Sequence, residues 1–160
     1  MKFTEYIFTV LVSVLISVTV LAQKGRAVNV TVPEELEATL FSPNTLTPCV
    51  ACIGVAPTGE VFAGVDQIGS LGKGGGKGKI IRLIDADNDG ISEAHTVYAV
   101  IDNPRGIVPV GDKLYVLHTK WGQGTQFDGM FLSVLEDKDG DGVADGPPKH
   151  LVKEISTRKF

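Results

Sequence analysis

Beyond Ala22 the chain alternates short apolar runs with Gly, Pro, Asp and Asn. "CIGVA" meets the turn "PTGE", and "VFAGVD" gives way to a glycine-rich loop. "KIIRLI" enters an acidic loop, and "HTVYAVI" leads into "DNPRG". The series then restarts: "GIVPV", the turn "GDK", "LYVLHT", a loop with Gly122 and Gly124, "MFLSVLE", a second acidic loop, and "HLVKEI". The runs are rich in β-branched and aromatic residues, as expected of strands joined by tight turns. No stretch after Ala22 keeps a helical period. In the lead-in "AVNVTVPEELEATLFSP", the Val32-Pro33 step disfavours helix before it, and "EATLF" reads as a short first strand. Asn29-Val30-Thr31 matches a glycosylation sequon, which matters only in a eukaryotic secretory path.

The pattern repeats at a fixed interval. Pro57 and Gly59 align with Pro109 and Gly111, an offset of 52. The acidic loops give the same offset independently: Asp85, Asp87, Asp89 and Gly90 fall on Asp137, Asp139, Asp141 and Gly142. Each repeat holds four predicted strands, and four strands in a unit of roughly 40–50 residues is the signature of a β-propeller blade. A lone four-stranded sheet cannot cover both of its faces, whereas stacking blades around an axis covers them. The predicted fold is therefore all-β, with about two blades of a propeller. Closed propellers take roughly four to eight blades, so the chain reads as the N-terminal part of a longer protein or a truncated gene product. The predicted organisation is a signal peptide over 1–22, a lead-in over 23–45, a first blade-like repeat over 46–104 and a second over 105–160.

The first 22 residues stand apart. Lys2 precedes an apolar stretch from Tyr6 to Leu21, and Val20 and Ala22 supply small residues for a cleavage site. This is the build of a helical secretory signal peptide, and it predicts an exported, periplasmic or secreted protein. The competing reading is an uncleaved membrane anchor, although the stretch is slightly short of the roughly 20 residues a crossing needs. Composition adds little. The chain of 160 residues has 15 basic and 19 acidic residues, a net charge of −4, and no basic block that points to nucleic acid.

Cys49 and Cys52 form C-x-x-C. Ile53 occupies the place where haem attachment needs histidine, and zinc would need a second pair. The segment after the motif reads as strand and turn, without the helix of a thioredoxin site. A local disulfide and two half-buried thiols both remain open.

The acidic loops carry the sharpest chemistry. Asp85, Asp87 and Asp89 stand at positions 1, 3 and 5 of a calcium loop, with Gly90 at 6, the Ile91 carbonyl at 7 and Glu93 at 9. Asp137, Asp139, Asp141, Gly142, the Val143 carbonyl and Asp145 repeat the set. Alternate spacing wraps hard oxygens around one ion, which suits calcium. Thr96 and Pro148 replace the bidentate glutamate of position 12, and the flanks read as strands, so these are not EF-hands. The bland alternative is that Asp and Gly are simply good turn formers. "GSLGKGGGKGK" fits no phosphate-loop register and leads into a strand; as a loop on the propeller face, it would bring Lys73 and Lys77 to an anionic ligand. His118 ends "LYVLH" and Arg105 sits in "NPRG", and both are candidates to face a central channel. His95 and His150 open the strands after the acidic loops. Trp121 fits either sugar stacking or core packing.

Together, "VPEELEATLF", "APTGEVFAGVDQIGSLGKGGGKGKIIRLIDADNDG", "NPRGIVPVGDKLYVLH" and "DKDGDGVADG" resemble exported bacterial propeller proteins related to soluble glucose and sorbosone dehydrogenases. The planctomycete-type "membrane-bound dehydrogenase" proteins are the nearest in pattern, and the resemblance runs from about Val32 to Thr157. It implies a six-bladed propeller with pyrroloquinoline quinone on its axis, calcium beside the quinone, and a histidine that takes a proton as hydride leaves a sugar. His118 is the best placed of the three histidines for that role, with Arg105 beside it as a second catalytic candidate.

Two functions follow as expectations. The first is the leading part of a quinoprotein-like sugar or alcohol dehydrogenase, inactive as a fragment because an axial site draws on most blades. Its partners would be a sugar or other small substrate and the remaining blades of a longer chain. The second is a non-catalytic, calcium-stabilised propeller that binds carbohydrate or protein outside the cytoplasm.

Overall fold

The computed structural model describes residues 30–66, 74–122 and 125–153. The expected signal peptide, Asn29, Lys73 and the tail after Lys153 lie outside the described residues. Within them every regular element is a β-strand, and no helix is long and apolar enough to cross a membrane. β1 (Val50–Val55), β2 (Val61–Asp66), β3 (Gly78–Ile84) and β4 (Ala94–Val100) form sheet I; β5 (Pro104–Val110), β6 (Lys113–Trp121), β7 (Phe127–Glu136) and β8 (Lys149–Lys153) form sheet II. In both sheets the strands lie in chain order and pair antiparallel with their neighbours.

Alternation is clearest in β6. Along β6, Leu114, Val116 and His118 are buried while Lys113, Tyr115 and Leu117 are half-exposed, the period of two that a pleated ribbon imposes. Phe62, Ile80 and Tyr98 from sheet I meet Ile107, Leu114, Val116 and Leu135 from sheet II in one core cluster. The other face of sheet I buries Ala63, Val65, Ile81 and Leu83, and Phe41 and Leu46 of the lead-in pack against them. The expected lead-in strand reduces to one bridge residue, Thr39. Soon after it the chain turns at Pro43, whose carbonyl accepts from the Leu46 and Thr47 amides at 2.9 and 3.0 Å.

The repeat persists in backbone detail. The β3–β4 ladder slips between Ile80 and Ile81, and the β7–β8 ladder slips between Leu132 and Ser133, the same place 52 residues on. The crossovers agree as well. Cys49 (φ 51°) and Asn103 (φ 38°) are left-handed residues just before β1 and β5. The Cys49 carbonyl accepts from Asp66 N at 3.2 Å, and the Asn103 carbonyl accepts from Thr119 N at 3.3 Å.

Candidate metal centres

The first acidic loop joins β3 to β4, and its carboxylates are tied down by its own backbone. Asp85 accepts from the Asp89 and Gly90 amides at 3.1 and 2.9 Å. Asp87 accepts from Asp89 N at 3.3 Å, Asp89 from Ile91 N at 2.9 Å, and Glu93 from Ala86 N at 2.7 Å. The loop is closed by Glu93 N donating to the Ile84 carbonyl at 3.0 Å.

The second loop, between β7 and β8, repeats the scheme. Asp137 accepts from Gly142 N at 2.9 Å and Gly140 N at 2.8 Å. Asp139 accepts from Asp141 N at 3.3 Å, Asp141 from Val143 N at 2.8 Å, and Asp145 from Lys138 N at 2.6 Å. Asp145 N donates to the Glu136 carbonyl at 2.9 Å. Backbone angles match too: Asn88 and Gly140 have φ 58° and 75°, and Gly90 and Gly142 have φ 85° and 84°. Short polar Asn and Gly are the residues that accept the left-handed region with least strain.

These ties aim oxygens inward. One carboxylate oxygen each from Asp85, Asp87, Asp89 and Glu93 lies within 4.8 Å of the others, and so do those of Asp137, Asp139 and Asp145. That span is about twice a calcium–oxygen bond of roughly 2.4 Å, so each donor set has room for one hard cation at its centre. Asp141, expected as a ligand, lies outside the second group. Ile91 and Val143 have their amides fastened to Asp89 and Asp141, at the point where a backbone ligand is expected.

Each loop also fastens two parts of the chain, a role the sequence reading missed. The Thr96 hydroxyl on β4 donates to the Gly142 carbonyl at 2.6 Å, and Ala144 N donates to the Tyr98 carbonyl at 2.8 Å. In the first loop, the Thr39 hydroxyl donates to the Gly90 carbonyl at 3.1 Å, and Ser92 N donates to the Phe41 carbonyl at 2.9 Å. Thr39-x-Phe41 thus stands to loop one as Thr96-x-Tyr98 stands to loop two. The sequence alone did not mark them, since Thr-x-aromatic triplets also occur at Thr4, Thr119 and Thr125 and the 57-residue spacing departs from the repeat. Arg82, ion-paired with Glu60 through a 2.9 Å Nε contact, packs directly against Gly142.

The remaining candidates lie apart from these loops. His118 is buried; its Nε2 lies 2.9 Å from Ser133 Oγ, which lies 2.8 Å from His150 Nδ1. Among the described residues its Nδ1 has no partner in hydrogen-bonding geometry. Burial first, then the charges of His150 and Lys120, hold the His118 imidazole down to about 4, against a smaller opposing contact with the Thr119 backbone. His118, His150, Lys120 and Asp102 line an open cleft of about 370 Å³, together with Pro147 and Pro148 from the β7–β8 connection. Arg105 Nε donates to Thr119 Oγ1 at 3.5 Å. Trp121 donates its indole N–H to Asn103, whose amide donates to the buried Asp66. Cys49 and Cys52 are free thiols, and burial pushes the Cys52 thiol up to about 11, far from a reactive thiolate.

Taken together, the acidic loops are the two places where convergent ligands, repeated geometry and a structural consequence coincide. No family model, curated protein or solved structure matches the chain.

Proposed function

We propose that the chain supplies two blades of an exported, calcium-stabilised β-propeller, in which each acidic loop binds one calcium ion and pins its blade to the segment packed before it, β4 for the second loop and the lead-in for the first. The observation that carries this reading is the double use of each loop. The same nine-residue turn gathers carboxylates on one side and offers a carbonyl and an amide to the neighbouring strand on the other. Without a cation the gathered carboxylates repel one another. With one, the loop becomes rigid, and so do the Gly90 and Gly142 carbonyls that receive the threonine hydroxyls. Missing the twelfth-position glutamate, such sites would be weak, in the range suited to millimolar extracellular calcium.

The function is then structural, in a ring that presents its loops to a ligand outside the cytoplasm. The dehydrogenase reading rests on the resemblance, and His118 supports it less than the loops support a scaffold, because its Nε2 is engaged by Ser133 and its ring packs on Phe131 and His150.

Isothermal titration with calcium tests the proposal. Two sites of similar affinity are expected, with Asp87→Asn removing one and Asp139→Asn the other. Titration heats that both substitutions leave unchanged would refute the assignment.

A further inference from the structure

The two sheets meet through unlike faces, and each end of the pair repeats one half of that seam. At the internal seam β5 lies against β1 and β2, with Ile107 reaching into the shared cluster. Register assigns the equivalents. Ile53 pairs with Ala63, which pairs with Ile81; Ile107 pairs with Val116, which pairs with Ser133. Ile53 therefore holds in sheet I the position that Ile107 holds in sheet II, an offset of 54; the expected match of Pro57 to Pro109 fails in this strand because the β1–β2 connection is longer than the β5–β6 one, and Pro109 pairs as Val55 does. By the same ladders Val108 holds the position of Gly54, which is buried beneath β5. Ile107 is 6% exposed, whereas Ile53 is 63% and Val108 58% exposed. Val55 beside Ile53, and Val110 beside Val108, are open as well.

We infer that a second copy of this chain docks head to tail on the first, laying its β1 over β5 and β6 as β5 lies over β1 and β2 within one copy. This rests on the propeller reading above and names the partner. The surface that covers the Val108 face must present the equivalent of Ile107, and the Ile53 face of another copy does so. The outer part of that end is already covered by Phe41 and Leu46, so the contact falls on the inner strands, as at the internal seam. Val108 stands where Gly54 lets the Ile107 carbonyl come close, so the incoming β1 rests on a valine side chain and sits farther out. Contacts of this head-to-tail kind close into rings when the rotation permits. With two sheets among the described residues of each copy and roughly four to eight per closed propeller, a ring of this chain holds about two to four copies.

Sedimentation velocity on the purified chain tests this. The wild type should form one closed species of about two to four copies. Ile53→Asp and Val108→Asp, at exposed positions on opposite ends, should each sediment as a monomer. Mixed in equal amounts they should form a 1:1 dimer, because one intact seam remains between them. A wild type that stays monomeric at every soluble concentration overturns the inference, as does an oligomer indifferent to both substitutions. Hydrogen exchange at Ala144 separates this from failure of the propeller reading. A monomer that still protects that amide sinks only the docking of copies, whereas an unprotected amide in the wild type strikes the seam between the sheets themselves.

Discussion

The Thr96 hydroxyl donates to the Gly142 carbonyl across 2.6 Å, joining the outermost strand of sheet I to the second acidic loop. Replacing Thr96 with Val keeps the β-branched shape and deletes the donor. The expected loss is about 1 kcal/mol, read as a lower urea midpoint with an unchanged slope. Thr39→Val should remove the equivalent bond to Gly90. It should raise amide exchange at Ser92 while leaving Ala144 protected, since the two loops are separate fasteners.

Gly142 answers to two constraints and Gly140 to one. Both have left-handed backbones, but a side chain at 142 would strike the Arg82 guanidinium, whereas nothing lies near position 140. Gly140→Ala should therefore lose only the roughly 1–2 kcal/mol of placing an L-residue in that region. Gly142→Ala should lose more, because Arg82 must also leave its place beside Glu60. Gly140→Asn should be nearly neutral, since Asn88 already fills the equivalent position in the first loop. Thermal denaturation of the three variants orders them.

Calcium should raise the melting temperature if it binds the folded loops. At a free concentration a hundred times the dissociation constant, each site adds about 2.7 kcal/mol. Chelation should reverse the gain. The double variant Asp87→Asn, Asp139→Asn should melt at the same temperature with or without calcium.

His118 makes stability depend on pH. Its folded value is held down to about 4 from an ordinary 6.5, first by burial, so below pH 6.5 the unfolded chain takes up the proton more readily. Stability is complete above that value and declines as pH falls from about 6.5 toward 4, by about 3 kcal/mol at most. His150 and Lys120 face the same ring and oppose its protonation. Denaturant midpoints for the wild type and His118→Gln, compared between pH 7 and 5, measure the effect; equal slopes in the two proteins would exclude His118 as the source.

Much of the fold was legible because strands and turns are local. Alternation in "LYVLHT" fits a pleated surface, and the paired D-x-D-x-D-G turns follow from glycine's access to positive φ. The lead-in was over-read as a strand, because "EATLF" has strand composition but no edge to pair with beyond Thr39. Position along a strand made His118 a channel candidate but did not show its companions: it lines the cleft together with His150, Lys120 and Asp102. Spacing made Asp89 and Asp141 equivalent, and each accepts from the amide two residues on, but only Asp89 gathers with its loop's other carboxylates.

The sequence by itself determined the strand content, the 52-residue repeat and the acidic residue types at each loop position, since these depend on side-chain period and turn chemistry within a few neighbours. Only the tertiary structure decided that the loops are also clasps, that Thr39-x-Phe41 does the work of an outer strand, and that His118 is held against Ser133 and Phe131 at the wall of a cleft. Those outcomes depend on which sheet face meets which, and that is settled by burying apolar surface between segments roughly fifty residues apart.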